Sequence, residues 1–275
     1  NPMLGMHGIR YGIKNPDILK AELKALMRVS QDKDLGKTKI GILLPQVINV
    51  FEVQEVKKFL EEIDFKDAKV GVMIETPASV QLIQEFCKED IDFISFGTND
   101  LTQYILAVDR GNGQVQGLYD EMHPAILYQL EYVIRVAQRN NVETSICGQA
   151  GSKKPMVKYL VEKGANINRI AYNRTSPLWS ASQNGHLRIV KYLISKGAEI
   201  DFSTDDQVSP LRIAAQEGRS LNIASFNGYL YVVEYLVSNG ADINQADLDG
   251  ISPLWTACQN GHLQVVFQRS KYKSV

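Results

Sequence analysis

Glu75 and Asp100 occupy equivalent places in the chain. Each follows a short apolar run, Ala68 to Ile74 before the first and Ile91 to Phe96 before the second, and each run gives way to Gly, Thr, Asn or Pro. Runs of this kind read as buried parallel strands with a functional loop at the carboxyl end, which is where α/β barrels place their chemistry. Two hard oxygen donors just past strand ends can share one Mg²⁺. The same placement also suits a solvated loop charge or a helix N-cap, so spacing alone leaves both readings open.

The elements around these residues alternate. Residues 1–14 are expected to form a loop at a strand end, followed by a helix from Asn15 to about Val29, with Pro16 and Asp17 as start signals. Lys39 to Leu44 reads as a strand stopped by Pro45. Val50 to Ile63 follows as an amphipathic helix with Phe51, Val53, Val56, Phe59 and Leu60 on its buried face. Strands are then expected at Lys69–Ile74, Ile91–Phe96 and Val142–Cys147, with helices at Ser79–Lys88 and Pro124–Asn140. Alternating β and α units imply a parallel sheet. About five units fit into roughly 150 residues, against eight for a closed barrel. An open parallel sheet of this kind is expected to leave unpaired edges and uncovered apolar faces.

Net charge is −1 over 275 residues, so no basic surface advertises nucleic acid or an anionic membrane. Cys87, Cys147 and Cys258 are too widely spaced for a zinc or disulfide framework, which points to a reducing cytoplasm. No apolar run is long enough to cross a bilayer. The first residues form neither a signal nor a transit peptide. The chain starts inside a motif without an initiating Met, as expected of a fragment.

The words themselves are more specific than the spacing. Gly71-Val-Met-Ile-Glu-Thr-Pro77, Phe96-Gly-Thr-Asn-Asp-Leu-Thr-Gln-Tyr104 and Ala107-Val-Asp-Arg-Gly-Asn112 resemble the phosphoenolpyruvate-utilising barrel. That family includes phosphoenolpyruvate synthase, pyruvate phosphate dikinase and enzyme I of the sugar phosphotransferase system. Asn1-Pro-Met-Leu-Gly5, Ile42-Leu-Leu-Pro45 and Ile146-Cys-Gly-Gln-Ala150 agree in the right order, and Gln149 is closest to the synthase branch. The resemblance covers roughly residues 1–150. It implies that the family's first two strands and its eighth have no counterpart in this half.

It also implies roles. Glu75 and Asp100 would hold Mg²⁺, which neutralises charge on the substrate. Asn99 would bond the phosphate of phosphoenolpyruvate, backbone groups around Gly97 and Thr98 would receive its carboxylate, and Arg110 would pair with phosphate through its planar fork. Without the family words, Arg110 reads as a surface salt bridge with Asp109. Cys147 would be the acid/base at the methyl carbon of pyruvate, where a lone apolar-flanked Cys otherwise reads as core. His7 stands where the family carries a phosphate-binding arginine. Arg10, three residues on, is the cation left to take its part.

After Cys147 the sequence changes character. Gly164-Ala-Asn-Ile-Asn168 returns as Gly197-Ala-Glu-Ile-Asp201 and Gly240-Ala-Asp-Ile-Asn244, and Ser-Pro-Leu begins at Ser176, Ser209 and Ser252. The first spacing is 33 in both series and the second 43. The shorter is the ankyrin period. The surplus appears as a doubled helix, Ile213 to Gly218 echoed by Ile223 to Gly228. These words, with Asn184-Gly-His186 and Asn260-Gly-His262, resemble ankyrin repeats. Helical pairs of this kind bury their apolar faces only against neighbours. The faces here are Val190, Tyr192, Leu193 and Ile194, then Val232, Val233, Tyr235, Leu236 and Val237. Pro155 to Gly164 suits either a second ankyrin helix or the helix after the barrel's Cys strand.

The expected architecture is thus α/β plus all-α: a partial barrel over 1–152 and a short, irregular ankyrin solenoid over 153–275, with a ten-residue insertion near 213–228. Two functions follow. The first is the pyruvate and phosphoenolpyruvate half of a synthase converting ATP, pyruvate and water to phosphoenolpyruvate, AMP and phosphate. It is expected to be weak or inactive alone, because no Gly-x-x-x-x-Gly-Lys loop occurs and none of the four histidines lies in a phospho-histidine context. The alternative is an ankyrin module for a protein partner, with Tyr172, Trp179, Phe226, Tyr229 and Trp255 as candidate contacts.

Overall fold

The computed structural model describes residues 5–31, 40–147, 149–170, 174–217 and 223–260. Asn1 to Leu4, Gly148, Tyr172, His262 and the residues after it lie outside these, as do the side chains of Gln149 and Phe226. The chain divides into two units, Asn1–Gly151 and Ser152–Val275.

The first unit is built on four parallel strands, β1 (Gly41–Leu44), β2 (Lys69–Ile74), β3 (Phe93–Gly97) and β4 (Glu143–Cys147), paired in that order. The register puts Ile42 beside Val70, Leu44 beside Val72, Val72 beside Ile94, and Ile74 beside Phe96. These apolar side chains are all at most 7% exposed. On the opposite face the Phe93 ring lies against Gly71, its partner in register, where a Cβ would collide with it. The edge strand β4 keeps Glu143, Thr144 and Ser145 exposed.

Helices follow each strand. Before β1 come α1 (Ile9–Lys14) and α2 (Pro16–Gln31). Residues 9–14 are thus helical rather than a loop, and the backbone N–H of Ile9 is tied to the carbonyl of Pro45 at 3.2 Å. After β1, α3 (Val50–Glu62) starts with a capping box in which Glu52 Oε2 accepts from the N–H groups of Ile48 and Asn49 at 2.7 and 2.9 Å. Val53, Val56, Phe59 and Leu60 are buried as expected, but Phe51 is 52% exposed. It shares its face with Gln54 and Lys58, three and seven residues on, and that face looks to solvent. The expected single helix after β2 is two, α4 (Pro77–Gln81) and α5 (Ile83–Lys88). After β3 come α6 (Thr98–Leu106) and then α7 (Pro124–Arg139), which buries Ile126, Leu130, Val133, Ile134 and Ala137. Leu127 on the same helix is half-buried. Neighbouring helices α3, α5 and α7 pack in sequence.

In the second unit, α8 (Lys154–Glu162), α9 (Pro177–Gln183), α10 (Leu187–Ser195), α11 (Pro210–Glu217), α12 (Ile223–Ser238) and α13 (Pro253–Gln259) are linked by repeated devices. Ser176, Ser209 and Ser252 each accept from the backbone N–H three residues on, at 3.1, 3.2 and 3.2 Å. Each is followed by Pro, so the word Ser-Pro-Leu is an N-cap with Pro at the first helical position. Gly164, Gly197 and Gly240 end the second helices with φ near 90°, a conformation open to glycine. The last residue of each glycine word reaches the next repeat. Asn168 Oδ1 accepts from Glu199 N at 2.9 Å, and Asp201 Oδ1 accepts from Asp242 N at 3.0 Å.

The core of this unit contains Leu178, Val190, Leu193, Leu211, Val232, Val233 and Leu236, with Val157 of α8 packed against it. Helix α8 therefore serves the ankyrin core. The expected doubled helix takes another form. Residues 223–228 open a 16-residue α12 that continues into the second helix of the repeat, and Gly228 lies inside it. No Ser-Pro cap precedes Ile223 to begin a separate pair, and an interior glycine costs only about 1 kcal/mol.

Candidate functional site at the carboxyl edge of the sheet

Each strand of the first unit delivers a polar residue at its carboxyl end: Gln46 after β1, Glu75 after β2, Thr98 to Asp100 after β3, and Cys147 at the end of β4. Gln46 joins the two acids. Its backbone N–H donates to Glu75 Oε1 at 2.6 Å, and its Nε2 donates to Asp100 Oδ2 at 3.0 Å. Its own Oε1 accepts from the Tyr104 hydroxyl at 3.3 Å. Gln46 is 3% exposed and holds φ at 57°, a left-handed conformation that costs a non-glycine residue about 1–2 kcal/mol. Its three bonds hold it there.

Gly97 is a glycine because of Glu75. A Cβ at this position would lie 2.6 Å from both the Cβ and Oε2 of Glu75. Glu75 is 5% exposed. Burial pushes its carboxyl pKa above the ordinary range and the charge of Asp100 adds to this, while the Gln46 N–H and His7 oppose it. Two carboxylates tied through one glutamine, with one destabilised as a charge, form a donor set that a hard divalent cation suits. Among the described residues no group of three or more His, Cys, Asp and Glu is placed to hold a metal.

Thr76, next to Glu75, caps α4 by accepting from Ser79 N at 3.0 Å and donates to the Val47 carbonyl at 3.0 Å, locking the β1 and β2 loops together. A cleft of about 200 Å³ opens beside them, lined by Arg10, Gln46, Thr76, Tyr104 and their neighbours. The buried Arg10 Nε has no hydrogen-bond partner, and its Nη1 reaches only the Gly5 carbonyl at 3.4 Å. The contact of α1 with Pro45 brings His7 within electrostatic reach of Glu75 and Arg10 to the cleft beside Gln46 and Tyr104.

The remaining residues meet around β3. Cys147 pairs in register with Gly97, and its thiol donates to the Phe96 carbonyl at 3.2 Å. Thr98 Oγ1 lies 3.3 Å from the Cys147 carbonyl and 3.4 Å from Glu121 Oε1, so its single hydrogen serves one or the other. With the Asn99 amide nitrogen facing Glu121 Oε1 at 3.3 Å, its oxygen accepts from Arg110 Nη1 at 2.9 Å. The opposite orientation would set oxygen against carboxylate and N–H against guanidinium. Arg110 N donates to Gln103 Oε1 at 2.8 Å, and Asp109 Oδ1 accepts from Gly111 N at 2.8 Å. The surface pairing of Arg110 with Asp109 is not what the structure forms.

Sequence reasoning missed Gln46 and Glu121. The rule that singled out Glu75, a polar residue immediately past a strand, also selects Gln46 once it is not restricted to acids. Glu121 lies 21 residues beyond Asp100, before α7, and nothing local marks it.

Residues 1–176 match the PEP-binding domain of PEP-utilising enzymes. The chain belongs to this family. It is 50% identical over 176 residues to phosphoenolpyruvate synthase of Pyrococcus furiosus, a match covering 63% of this chain and 21% of that protein. A probable phosphoenolpyruvate synthase of Methanocaldococcus jannaschii is 46% identical over 178 residues, covering 62% of this chain and 15% of the relative. A phosphoenolpyruvate-dependent phosphotransferase system protein of Escherichia coli is 34% identical over 174 residues, 60% of this chain and 23% of the relative. The chain thus spans about a fifth of the length of such relatives. Residues 144–226 and 221–269 match ankyrin repeats, so the two matches overlap across β4 and α8. No helix among the described residues is long and apolar enough to cross a membrane.

Proposed function

We propose that the carboxyl edge of this sheet binds phosphoenolpyruvate or pyruvate with Mg²⁺ and supports the pyruvate half of the synthase reaction, with low activity in this chain alone. The observation that carries the reading is the Gln46 bridge between Glu75 and Asp100, which holds two otherwise repelling carboxylates together in a family whose matched domain binds phosphoenolpyruvate. Glu75 and Asp100 would hold the Mg²⁺. When bound, that ion supplies positive charge against the substrate's oxygens.

The chain's own groups do the rest. Arg110 and the second N–H of the Asn99 amide receive the phosphate oxygens. Backbone N–H groups at Gly97 and Thr98, where α6 begins, receive the carboxylate. Arg10 stands in for the arginine that His7 replaces, and its unpartnered Nε faces no competing acceptor. The Cys147 thiolate takes a proton from the methyl carbon of pyruvate, or the thiol gives one to the methylene carbon of the enolate in the reverse direction. The strand order supports a barrel segment over a doubly wound sheet. Four parallel strands lie in sequential order; joined by the right-handed crossovers general to such units, they wind in one direction, as in a (β/α)8 barrel, without the order reversal of a doubly wound fold. We take residues 1–152 as this partial barrel domain and 153–275 as the ankyrin domain, in a cytoplasmic protein.

The test is exchange of the methyl protons of pyruvate for deuterium in D₂O, followed by NMR with Mg²⁺ present. This needs neither ATP nor a phospho-histidine. Exchange that disappears in Cys147→Ala and in Asp100→Ala supports the reading. Exchange at the buffer rate in the unaltered chain, with no phosphoenolpyruvate binding, contradicts it.

A second reading, a protein-binding ankyrin surface, is favoured by Trp255, which is 51% exposed. Trp179 is used internally, its Nε1 donating to the Val208 carbonyl at 3.0 Å, and the Tyr229 hydroxyl donates to the Gln183 carbonyl at 3.0 Å. A pull-down with the whole chain whose specific partner is lost in Trp255→Ala tests it, and a recovery unchanged by that substitution removes Trp255 from the contact.

A further inference from the structure

Glu121 is only 2% exposed and lies in a tight turn before α7, with Asp120 Oδ1 accepting from Met122 N at 2.8 Å and His123 Nδ1 accepting from Ala125 N at 3.2 Å. A buried carboxylate needs donors or a cation. Here Oε1 faces three donors: Asn99 Nδ2 at 3.3 Å, Thr98 Oγ1 at 3.4 Å and the Tyr119 hydroxyl at 3.5 Å. Tyr119 stays protonated at any ordinary pH, because burial and the nearby Glu121 charge push its pKa up to about 12. The Asn99 amide is thus held between a negative group on its nitrogen side and the Arg110 guanidinium on its oxygen side.

We propose that Glu121 is a positioning residue: it fixes the Asn99 amide, and through it the Arg110 guanidinium, in the orientation that receives a phosphate-type oxyanion. One amide hydrogen is committed to Glu121, and Arg110 offers a ligand the donors not used on Asn99. The proposal rests on the phosphoenolpyruvate reading for its ligand but not for its geometry. Two effects of Glu121 on anion binding have opposite signs. Its negative charge repels an anion, while its grip on Asn99 favours one. Replacing it by Gln removes the charge and, because Gln presents either an oxygen or an amide, loosens the orientation.

The whole chain is titrated with phosphoenolpyruvate plus Mg²⁺ and, separately, with inorganic phosphate, for the unaltered protein, Glu121→Gln, Asn99→Ala and the double variant. Glu121→Gln is expected to bind about tenfold more weakly. It should add nothing further in the Asn99→Ala background, because its effect passes through that amide. The side-chain amide NMR resonances of Asn99 should shift and lose exchange protection in Glu121→Gln. Tighter anion binding by Glu121→Gln, or additive losses in the double variant, overturns the proposal. If the unaltered chain binds neither probe, the phosphoenolpyruvate reading fails and the Asn99 resonances decide alone: unchanged in Glu121→Gln, they overturn the positioning role.

Discussion

The two units stabilise polar groups in opposite ways. In the first, Gln46, Glu75, Asp100, Glu121 and Cys147 come from distant parts of the sequence and meet only because four strands end at the same edge. In the second, each polar device is local and copied: a serine cap, a glycine stop, and an Asn or Asp that holds the next repeat. A convergent site concentrates its cost in a few residues, such as the left-handed Gln46 and the buried Glu75. A repeated one spreads its stability over equivalent small contributions. The exception in the second unit sharpens the contrast. At the position where two repeats carry Trp179 and Trp255, the middle repeat carries Arg212, paired with Asp247 at 3.1 Å with side chains 10% and 6% exposed.

That exception predicts the largest effect. Asp247→Ala leaves the Arg212 charge buried without its partner and is expected to cost about 3–5 kcal/mol. Both tryptophans of the chain lie in the ankyrin unit. Denaturant unfolding followed by tryptophan fluorescence therefore reads this loss in the array, and a change below about 1 kcal/mol would show that the ion pair is not buried as described.

Gly97→Ala probes the convergent site. The added methyl meets Glu75 at a position where neither backbone can retreat, and about 1–3 kcal/mol is expected to be lost from the first unit. Circular dichroism should show a lowered transition while the tryptophan transition stays in place. A shift of both together would break the distinction between the units.

The repeated caps come next. Ser176→Ala and Ser252→Ala should each cost about 1 kcal/mol, and the double variant about the sum, since the two caps share no partner. Fluorescence-detected unfolding checks this, and strong non-additivity would contradict the picture of equivalent local devices.

The smallest effect is that of pH on Glu75. Its folded pKa is raised, so without a cation the stability linked to this group is fully present below the ordinary glutamate pKa and is lost as pH rises through the raised value. Glu75→Gln keeps an acceptor for the Gln46 N–H and removes the charge. It should be slightly more stable than the unaltered chain at neutral pH, equal to it in acid, and unresponsive to Mg²⁺. A variant less stable at neutral pH would show that the carboxylate is favoured by its surroundings.

Much of this was legible in the sequence because its signals are local. Val53, Val56 and Leu60 recur at helical spacing and are buried, and Gly164, Gly197 and Gly240 mark helix ends by the conformation they alone adopt easily. The family words placed Glu75, Asp100 and Cys147 at strand ends. What was not legible depends on partners far away in the chain. Phe51 is as apolar as Phe59 and differs only in the face it occupies. Trp179 and Trp255 share a sequence word, yet one indole finds the Val208 carbonyl and the other is half exposed. Gln46 has no motif of its own, and its importance exists only once β1, β2 and α6 are assembled.

The measurement that bears most directly on the central claim is thermal unfolding of the whole chain by circular dichroism, alone, with Mg²⁺, with phosphoenolpyruvate, and with both. Ligand at a hundred times its dissociation constant stabilises a folded site by about 2.7 kcal/mol. The first unit should melt higher only when both are present, with the tryptophan-detected transition unmoved and the gain abolished in Asp100→Ala. A melt that neither addition moves, or one that moves equally in Asp100→Ala, would contradict the assignment of this edge as the binding site.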